Sequence, residues 1–117
     1  MENVILELSF DFALKVIEYT ELLEEKRKFV IAKQLLKSGT SIGANINEAQ
    51  NAESRADFIH KLKISAKEAN ETDYWLKLCH KAKNYPNPDG LSEILLSIQK
   101  LLTKIIHSTK SNNQGIK

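Results

Sequence analysis

The sequence predicts an all-α protein, an antiparallel up-down-up-down four-helix bundle that forms a single domain. Apolar residues recur at three- and four-residue steps in four long segments, which is the period of amphipathic helices. The 117 residues include only two prolines and four glycines, too few for the many turns of a β-sandwich or barrel. One strong breaker cluster occurs, at residues 84–90. Short connections then make successive helices antiparallel.

The first helix is predicted over residues 4–25. Its core row is Ile5, Leu8, Phe12, Val16, Tyr19 and Leu23. A second apolar row lies on nearly the opposite side and consists of Leu6, Phe10, Leu14 and Ile17. Because one apolar face is enough to bury a helix in a monomer, the second row predicts a contact with another copy of the chain.

The second helix is predicted over residues 27–51. Its core row is Ile31, Leu35, Gly39, Ile42, Ile46 and Ala49. Each helical glycine costs about 1 kcal/mol relative to alanine, so the Gly39-x-x-x-Gly43 step predicts the close approach of another backbone. A lysine-free polar stripe runs alongside: Gln34, Ser38, Ser41, Asn45 and Glu48. It is either a solvated ribbon or a polar seam between helices or subunits, and we favour the seam.

The third helix is predicted over residues 54–82, because Ser54-x-x-Asp57 has the pattern of a capping box. Its inner row is Phe58, Leu62, Ser65, Ala66, Ala69, Leu76 and Cys79. A second side carries Ile64, Glu71, Trp75 and Leu78. Trp75, the only tryptophan, falls off the inner row and is therefore predicted to anchor a subunit contact.

The fourth helix follows the breaker cluster, with Pro88 suited to its first turn. Its apolar stripe is Leu91, Ile94, Leu95, Ile98, Leu101, Leu102, Ile105 and Ile106. From Ser108 onward the sequence is polar and predicts a frayed end. The predicted organisation is therefore a four-helix bundle over residues 1–110 and a flexible C-terminal tail over residues 111–117.

Charge is unevenly distributed along the chain, although the net charge is only +2. Residues 1–25 contain seven acids and one base, whereas the remainder contains sixteen bases and eight acids. Two groups of exposed bases are expected, with one aromatic residue among them: Lys26, Arg27, Lys28, Lys33 and Lys37 on the second helix, and Lys63, Lys67, Tyr74, Lys77 and Lys81 on the third. These residues either bind the phosphates of a nucleic acid or form a solvated face that aids solubility.

No catalytic, metal-binding, cofactor-binding or small-molecule site is predicted. A di-iron bundle needs two Glu-x-x-His pairs, and this chain offers one analogue, Asp57-x-x-His60. Cys79 is the only cysteine and has no disulfide partner. No apolar run reaches the roughly 18 residues of a membrane span, and the N-terminus lacks the basic residues of a signal peptide. A cytoplasmic, non-enzymatic protein without a membrane partner is expected.

Two segments of the chain resemble a known family. They are Ser41-Ile42-Gly43-Ala44-Asn45-Ile46-Asn47-Glu48-Ala49 with Ser54-x-x-Asp57-Phe58, and Lys67-Glu68-Ala69-Asn70-Glu71-Thr72-Asp73-Tyr74-Trp75-Leu76. They are similar to motifs of the small bacterial four-helix-bundle proteins named after open reading frames in intervening sequences of 23S ribosomal RNA genes. The resemblance covers about residues 8–106. Gly43 stands where many members have proline, and Ala49 where many have glycine.

The resemblance implies a ring-like homo-oligomer, with a pentamer expected, in which Asn45, Glu48 and Glu71 make structural polar contacts between helices. Similar proteins include accessory subunits of diversity-generating retroelements, which engage reverse transcriptase and nucleic acid through a basic surface. Two functions are therefore expected as alternatives. The first is a nucleic-acid or ribonucleoprotein accessory factor that binds RNA or DNA. The second is a protein-interaction scaffold with no role in nucleic-acid binding.

Overall fold

The computed structural model describes residues 4–115, with side chains as far as Ser111, and every regular element in that range is an α-helix. The helices are α1 (Val4–Glu25), α2 (Phe29–Ala49), α3 (Arg55–Lys81) and α4 (Asp89–Gly115). Each helix packs against the next along the chain, and α4 also packs against α1. The molecule measures 55 × 22 × 21 Å, so four long helices surround one elongated core.

The predicted bounds of α1 are confirmed, but the predicted start of α2 at residue 27 is wrong. Arg27 has a left-handed backbone with φ of 65°, a conformation that costs a residue with a side chain about 1 kcal/mol. The backbone N–H groups of Arg27 and Lys28 close the end of α1 by donating to the carbonyls of Glu24 and Leu23, both at 2.8 Å. These residues therefore form the turn, and α2 begins at Phe29.

The predicted cap of α3 is confirmed. The Asp57 N–H donates to Ser54 Oγ at 3.0 Å, and the Asp57 carboxylate accepts from the backbone N–H of Glu53 at 3.2 Å. In a standard capping box that second bond would come from the N–H of Ser54 itself. The carboxylate of Asp57 thus binds the backbone N–H of Glu53, one residue earlier than the pattern predicts.

The connection from α3 to α4 places Pro88 just before the helix rather than within its first turn, because the Pro88 carbonyl accepts the first helical bond from Ser92 at 3.1 Å. The helix then continues to Gly115, past Ser108, where the sequence predicts a frayed end. The predicted boundary at residue 110 falls inside α4. Residues 116–117 of the predicted tail lie outside the described residues, and the flexibility of residues 111–117 stays a prediction.

The predicted core rows of all four helices face the interior. Their fully buried members include Phe12 and Val16 of α1, Leu35 and Ile42 of α2, and Leu62, Leu76, Leu95, Ile98 and Leu102 of α3 and α4. Thr72 is also fully buried on α3, although its polar side chain kept it out of the predicted row.

The two glycines of α2 lie against α1, which confirms the predicted close approach. A Cβ atom added to Gly39 would lie 3.0 Å from both methyl groups of Val16. One added to Gly43 would lie 3.3 Å from Ser9 Oγ and 3.4 Å from the Ser9 carbonyl oxygen. The helix is continuous through Gly43 to Ala49, the two positions that depart from the family pattern.

The polar stripe of α2 joins α3 at one position. Thr72 Oγ1 donates to Ser38 Oγ at 2.9 Å across the buried α2–α3 contact. In contrast, Ser41 Oγ and Asn45 Nδ2 donate to carbonyls of α2 itself, at 2.7 and 2.8 Å. Glu48 is exposed. Within one protomer the seam is therefore formed by Ser38 alone, and contacts of Asn45 and Glu48 with another subunit stay a prediction.

Candidate functional site

A first apolar surface, here called the α1 face, consists of Leu6, Phe10, Leu14 and Ile17. Phe10 is 62% exposed and Leu14 is 47% exposed, so the protomer does not cover them. Leu6 and Phe10 border a groove whose other wall belongs to α2 and includes Thr40 and Gly43. The residues predicted for a subunit contact on α1 therefore do face outward, beside α2.

A second apolar surface, here called the α3 face, consists of Ile64, Glu71, Trp75 and Leu78. Trp75 and Ile64 are half-buried, whereas Glu71 and Leu78 are exposed. Trp75 Nε1 donates to Glu71 Oε2 at 3.2 Å, and its ring packs edge-on against Tyr74 with 5.3 Å between centroids. The indole also packs against the core, so its position is fixed within the protomer.

The two faces lie on either side of α2. Leu78 lines a groove with Ile31 of α2, just as Phe10 lines a groove with Thr40 and Gly43 of α2. Helix α2 contacts α1 and α3, and so does α4, which places α4 diagonally opposite α2.

The charges beside the two faces have opposite signs. Glu7 and Asp11 share a groove with Leu6 and Phe10 of the α1 face. Lys81 shares the groove beside Leu78 of the α3 face. An α1 face placed on an α3 face would therefore pair apolar surface with apolar surface and bring Glu7 and Asp11 towards Lys81, although the α3 face itself includes the exposed Glu71.

The bases predicted on and before α2 are here called the α2 bases: Lys26, Arg27, Lys28, Lys33 and Lys37. All except Lys28 are exposed. The Lys28 ammonium lies over the ring of Tyr85, 5.0 Å from its centroid, in a cation–π contact. Lys28 thus links the α1–α2 turn to the α3–α4 connection. The other four predicted bases are exposed to solvent.

The residues predicted on α3 form an exposed row, here called the α3 stripe: Lys63, Lys67, Tyr74, Lys77 and Lys81. At 1.5 Å per residue the stripe extends over about 27 Å. Lys77 Nζ lies 2.9 Å from the Asp73 carboxylate, which neutralises part of its charge. Tyr74 is 57% exposed and presents an aromatic surface between the lysines.

Further bases on α4, absent from the sequence prediction, adjoin the α3 stripe. Lys100, Lys104 and His107 line a shallow groove together with Gln99, and Gln99 Nε2 donates to Asn70 Oδ1 of α3 at 3.2 Å. A hydrogen bond with Lys63, together with the charge of that ammonium, lowers the pKa of Lys110. The sequence does contain a signal for this surface, because no acid follows Glu93 and the α4 bases are spaced for one helical side.

Several other titratable groups make contacts within the fold. Tyr19 Oη donates to the Pro86 carbonyl at 2.6 Å, and burial, reinforced by Cys79, raises the pKa of Tyr19. Burial also raises the pKa of Cys79, which disfavours the reactive thiolate. The Asp57 carboxylate lies 3.5 Å from Lys61 Nζ, and His80 Nδ1 lies 3.0 Å from Asp89.

Within residues 4–115, no three His, Cys, Asp or Glu side chains are grouped closely enough to hold a metal ion. None of the helices described combines the length and the apolar composition needed to cross a bilayer.

The comparisons with known proteins agree with the motifs. A family model described as 23S rRNA-intervening sequence protein matches residues 1–107. The chain is also similar to a crystal structure from Bacteroides thetaiotaomicron, described as a protein with unknown function from the S23 ribosomal protein family. The two sequences are 45% identical, and the match covers 88% of this chain and 98% of that chain with a TM-score of 0.83. No curated protein has a significant match.

Proposed function

The chain belongs to the family of 23S rRNA-intervening sequence proteins, and from this premise we propose that it is a non-enzymatic accessory factor that binds RNA or DNA as a homo-oligomer. The observation that carries the proposal is the exposed α3 stripe, which aligns lysines and an aromatic ring along one side of the molecule. Lysines that neutralise phosphates release counterions, and this provides sequence-independent affinity. The cytoplasmic location predicted from the sequence stays a prediction.

The proposed protomer is an up-down-up-down bundle. Two pairs of close contacts support this direction for α1 and α2, because Val16 meets Gly39 and Ser9 meets Gly43. Between α2 and α3, the contact of Ser38 with Thr72 and that of Ile42 with Ser65 follow the same trend. In each case the residue number rises on one helix as it falls on the other, as expected for antiparallel neighbours.

The proposed assembly is a ring, with five copies as the expected number. In it, the α1 face of one protomer packs on the α3 face of the next. Such a head-to-tail contact uses two different surfaces and generates a closed ring when the rotation between neighbours closes. The exposed Phe10 and Leu14, and the opposite charges beside the two faces, support this pairing.

A protein-interaction scaffold is the second candidate function. Phe29 is 57% exposed and Val30 is 79% exposed at the start of α2, and neither belongs to the α1 face or the α3 face. Exposed apolar residues outside the proposed subunit contact favour a protein partner, which could be a reverse transcriptase or another protein.

Fluorescence anisotropy tests the nucleic-acid proposal. Labelled duplex RNA, duplex DNA and a structured RNA would be titrated with the purified protein at several salt concentrations. Binding at low salt that weakens steeply as salt rises is the expected result. Absence of binding at low salt would overturn it, and a host protein captured equally well after nuclease treatment would favour the scaffold instead.

A further inference from the structure

One side of the molecule, formed by α3 and α4, carries several exposed bases. Lys100, Lys104, His107 and Lys110 lie on α4, a helix with no acid after Glu93. Lys63 and Lys67 are the first two residues of the α3 stripe. The hydrogen bond from Gln99 to Asn70 ties the two helices together between these groups. The result is a basic surface that combines the shallow groove of α4 with the neighbouring side of α3, and it is here called the α3–α4 groove.

Within the α3–α4 groove, two amines from different helices meet. Lys63 of α3 lowers the pKa of Lys110 of α4, which indicates that the two amines lie close together. Two ammonium groups held side by side repel each other, and an anion between them turns that repulsion into two favourable interactions. A phosphate group has the charge and the acceptor oxygens to do this.

The position of the α3–α4 groove also distinguishes it from the α2 bases. Helix α2 lies between the α1 face and the α3 face, so it lies between the two proposed subunit contacts. Helix α4 is diagonally opposite, and none of its described residues lines the grooves beside Phe10 and Leu78. Assembly through these faces would crowd Lys33 and Lys37, and would leave the α3–α4 groove on the outer wall. Lys28, another of the α2 bases, already makes a cation–π contact with Tyr85.

We infer that the α3–α4 groove is the surface that binds the phosphate backbone of the nucleic acid, and that the α2 bases contribute little. This inference rests on the proposed function. It names the surface, made of Lys63, Lys67, Lys100, Lys104 and Lys110, and it names the ligand chemistry, a run of backbone phosphates. Because each protomer of a ring would present one groove, a long nucleic acid would contact several grooves at once.

Two matched triple variants test the inference. The groove variant replaces Lys100, Lys104 and Lys110 with glutamine, and the α2 variant replaces Lys26, Lys33 and Lys37 with glutamine. Each removes three charges, and circular dichroism and native mass would establish that both remain folded and assembled. Anisotropy with a duplex DNA and a duplex RNA of equal length is then measured from 50 to 200 mM salt.

The groove variant is expected to bind at least about tenfold more weakly, with a slope of log K against log salt that is shallower by about 2.7 on duplex DNA. The α2 variant is expected to retain wild-type affinity and slope. A larger loss in the α2 variant, or equal losses in both, would overturn the inference while leaving the proposed function intact. Failure of the wild-type protein to bind either duplex would overturn both.

Amine footprinting provides a second measurement that needs no variant. The protein is acetylated briefly with and without duplex RNA, and the modified lysines are identified by mass spectrometry. Loss of modification at Lys63 and Lys110 in the complex, with Lys33 and Lys37 modified as before, is the expected result. Protection confined to Lys33 and Lys37 would place the backbone on α2 and contradict the inference.

Discussion

Gly39 allows α1 and α2 to approach at the position of Val16. Replacing Gly39 with alanine gains about 1 kcal/mol of helix propensity, but the new Cβ would lie 3.0 Å from both methyls of a fully buried, β-branched side chain that cannot move aside. Overpacking of this kind costs about 1–3 kcal/mol. We expect Gly39→Ala to lower the free energy of unfolding by about 1 kcal/mol, measured by urea denaturation.

Gly43→Ala is the matched control for that prediction. Its added Cβ would meet Ser9 Oγ at 3.3 Å, a looser contact, so a change near zero is expected. A double variant of Gly39→Ala with Val16→Ala should cost less than the sum of its parts, because the smaller side chain makes room for the new methyl. Additive costs would mean that the Val16 contact is not the cause.

The buried pair of Tyr19 and Cys79 makes stability depend on alkaline pH. Both pKa values are raised in the folded protein from the unfolded values of 10.0 and 9.0. Below about pH 9 both groups are protonated in the folded and in the unfolded chain, so neither lowers the free energy of unfolding. Above that pH the unfolded chain releases protons that the folded chain retains, and stability falls by up to about 1.4 kcal/mol per pH unit for each group.

Urea midpoints measured from pH 8 to 10.5 check this prediction. Tyr19→Phe combined with Cys79→Ala should give a shallower decline than the wild-type protein. Tyr74→Phe changes a tyrosine that is 57% exposed and should leave the decline unchanged. An equally steep decline in the Tyr19/Cys79 variant would assign the pH dependence to other groups.

At the scale of single residues, the sequence predicted contacts of the backbone and of apolar side chains better than contacts of polar side chains. The glycine step of α2 was readable because glycine within a helix is costly and needs a reason. Thr72 was missed because threonine is polar, and the sequence does not show that Ser38 satisfies its hydroxyl inside the protein. The meeting of Lys63 with Lys110 joins residues far apart in the chain, and no local pattern records it.

The stability of a helix depends in part on the hydrogen bonds at its ends, and the N-terminus of α3 has a side-chain cap. Ser54 Oγ accepts the Asp57 N–H at 3.0 Å, and loss of such a cap costs about 1 kcal/mol. We expect Ser54→Ala to lower the free energy of unfolding by about that amount, and Ser54→Asp to retain it. Ser97→Ala, at an exposed position inside α4, is the control and should be neutral. Equal effects at both serines would contradict a capping role.

Element bounds followed the sequence where a local signal marks them. The bounds of α1 and the cap of α3 are such cases. The start of α2 was misjudged because Arg27 adopts a left-handed turn without being a glycine or an asparagine. The end of α4 was misjudged because polar residues read as a frayed end, whereas polar side chains are compatible with a helix that continues beyond the core.

At the scale of the whole molecule, the proposed ring predicts which substitutions reduce its mass. Phe10→Lys with Leu14→Lys would break the α1 face, and Ile64→Lys with Trp75→Lys would break the α3 face. Each double variant should give smaller soluble species by light scattering. Leu96→Lys is the matched control, because Leu96 is 52% exposed on α4, away from both faces. An unchanged mass in either double variant would remove that face from the contact.

Mixing the two double variants tests the head-to-tail arrangement itself. Each retains one intact face, and the intact α1 face of one can pack on the intact α3 face of the other. The mixture should therefore form a heterodimer but no larger ring. A contact that paired like faces would allow no such complementation, and light scattering would then show no heterodimer in the mixture.

The sequence predicted the surplus apolar surface of this molecule, because two rows on one helix are visible in one segment. It could not predict that the α1 face and the α3 face both flank α2, since that depends on how four helices pack together. The same packing brings the bases of α4 beside the α3 stripe. The candidate site was therefore predicted on α3 and missed on α4.

The burial of Cys79 has a practical consequence. The sequence contains one thiol, and the folded protein leaves only 1% of that residue accessible. A second cysteine engineered at the surface would react with a maleimide dye far faster than the native one. Fluorophore pairs for distance measurements could thus be attached at chosen positions on the wild-type background, without first deleting a residue that packs in the core.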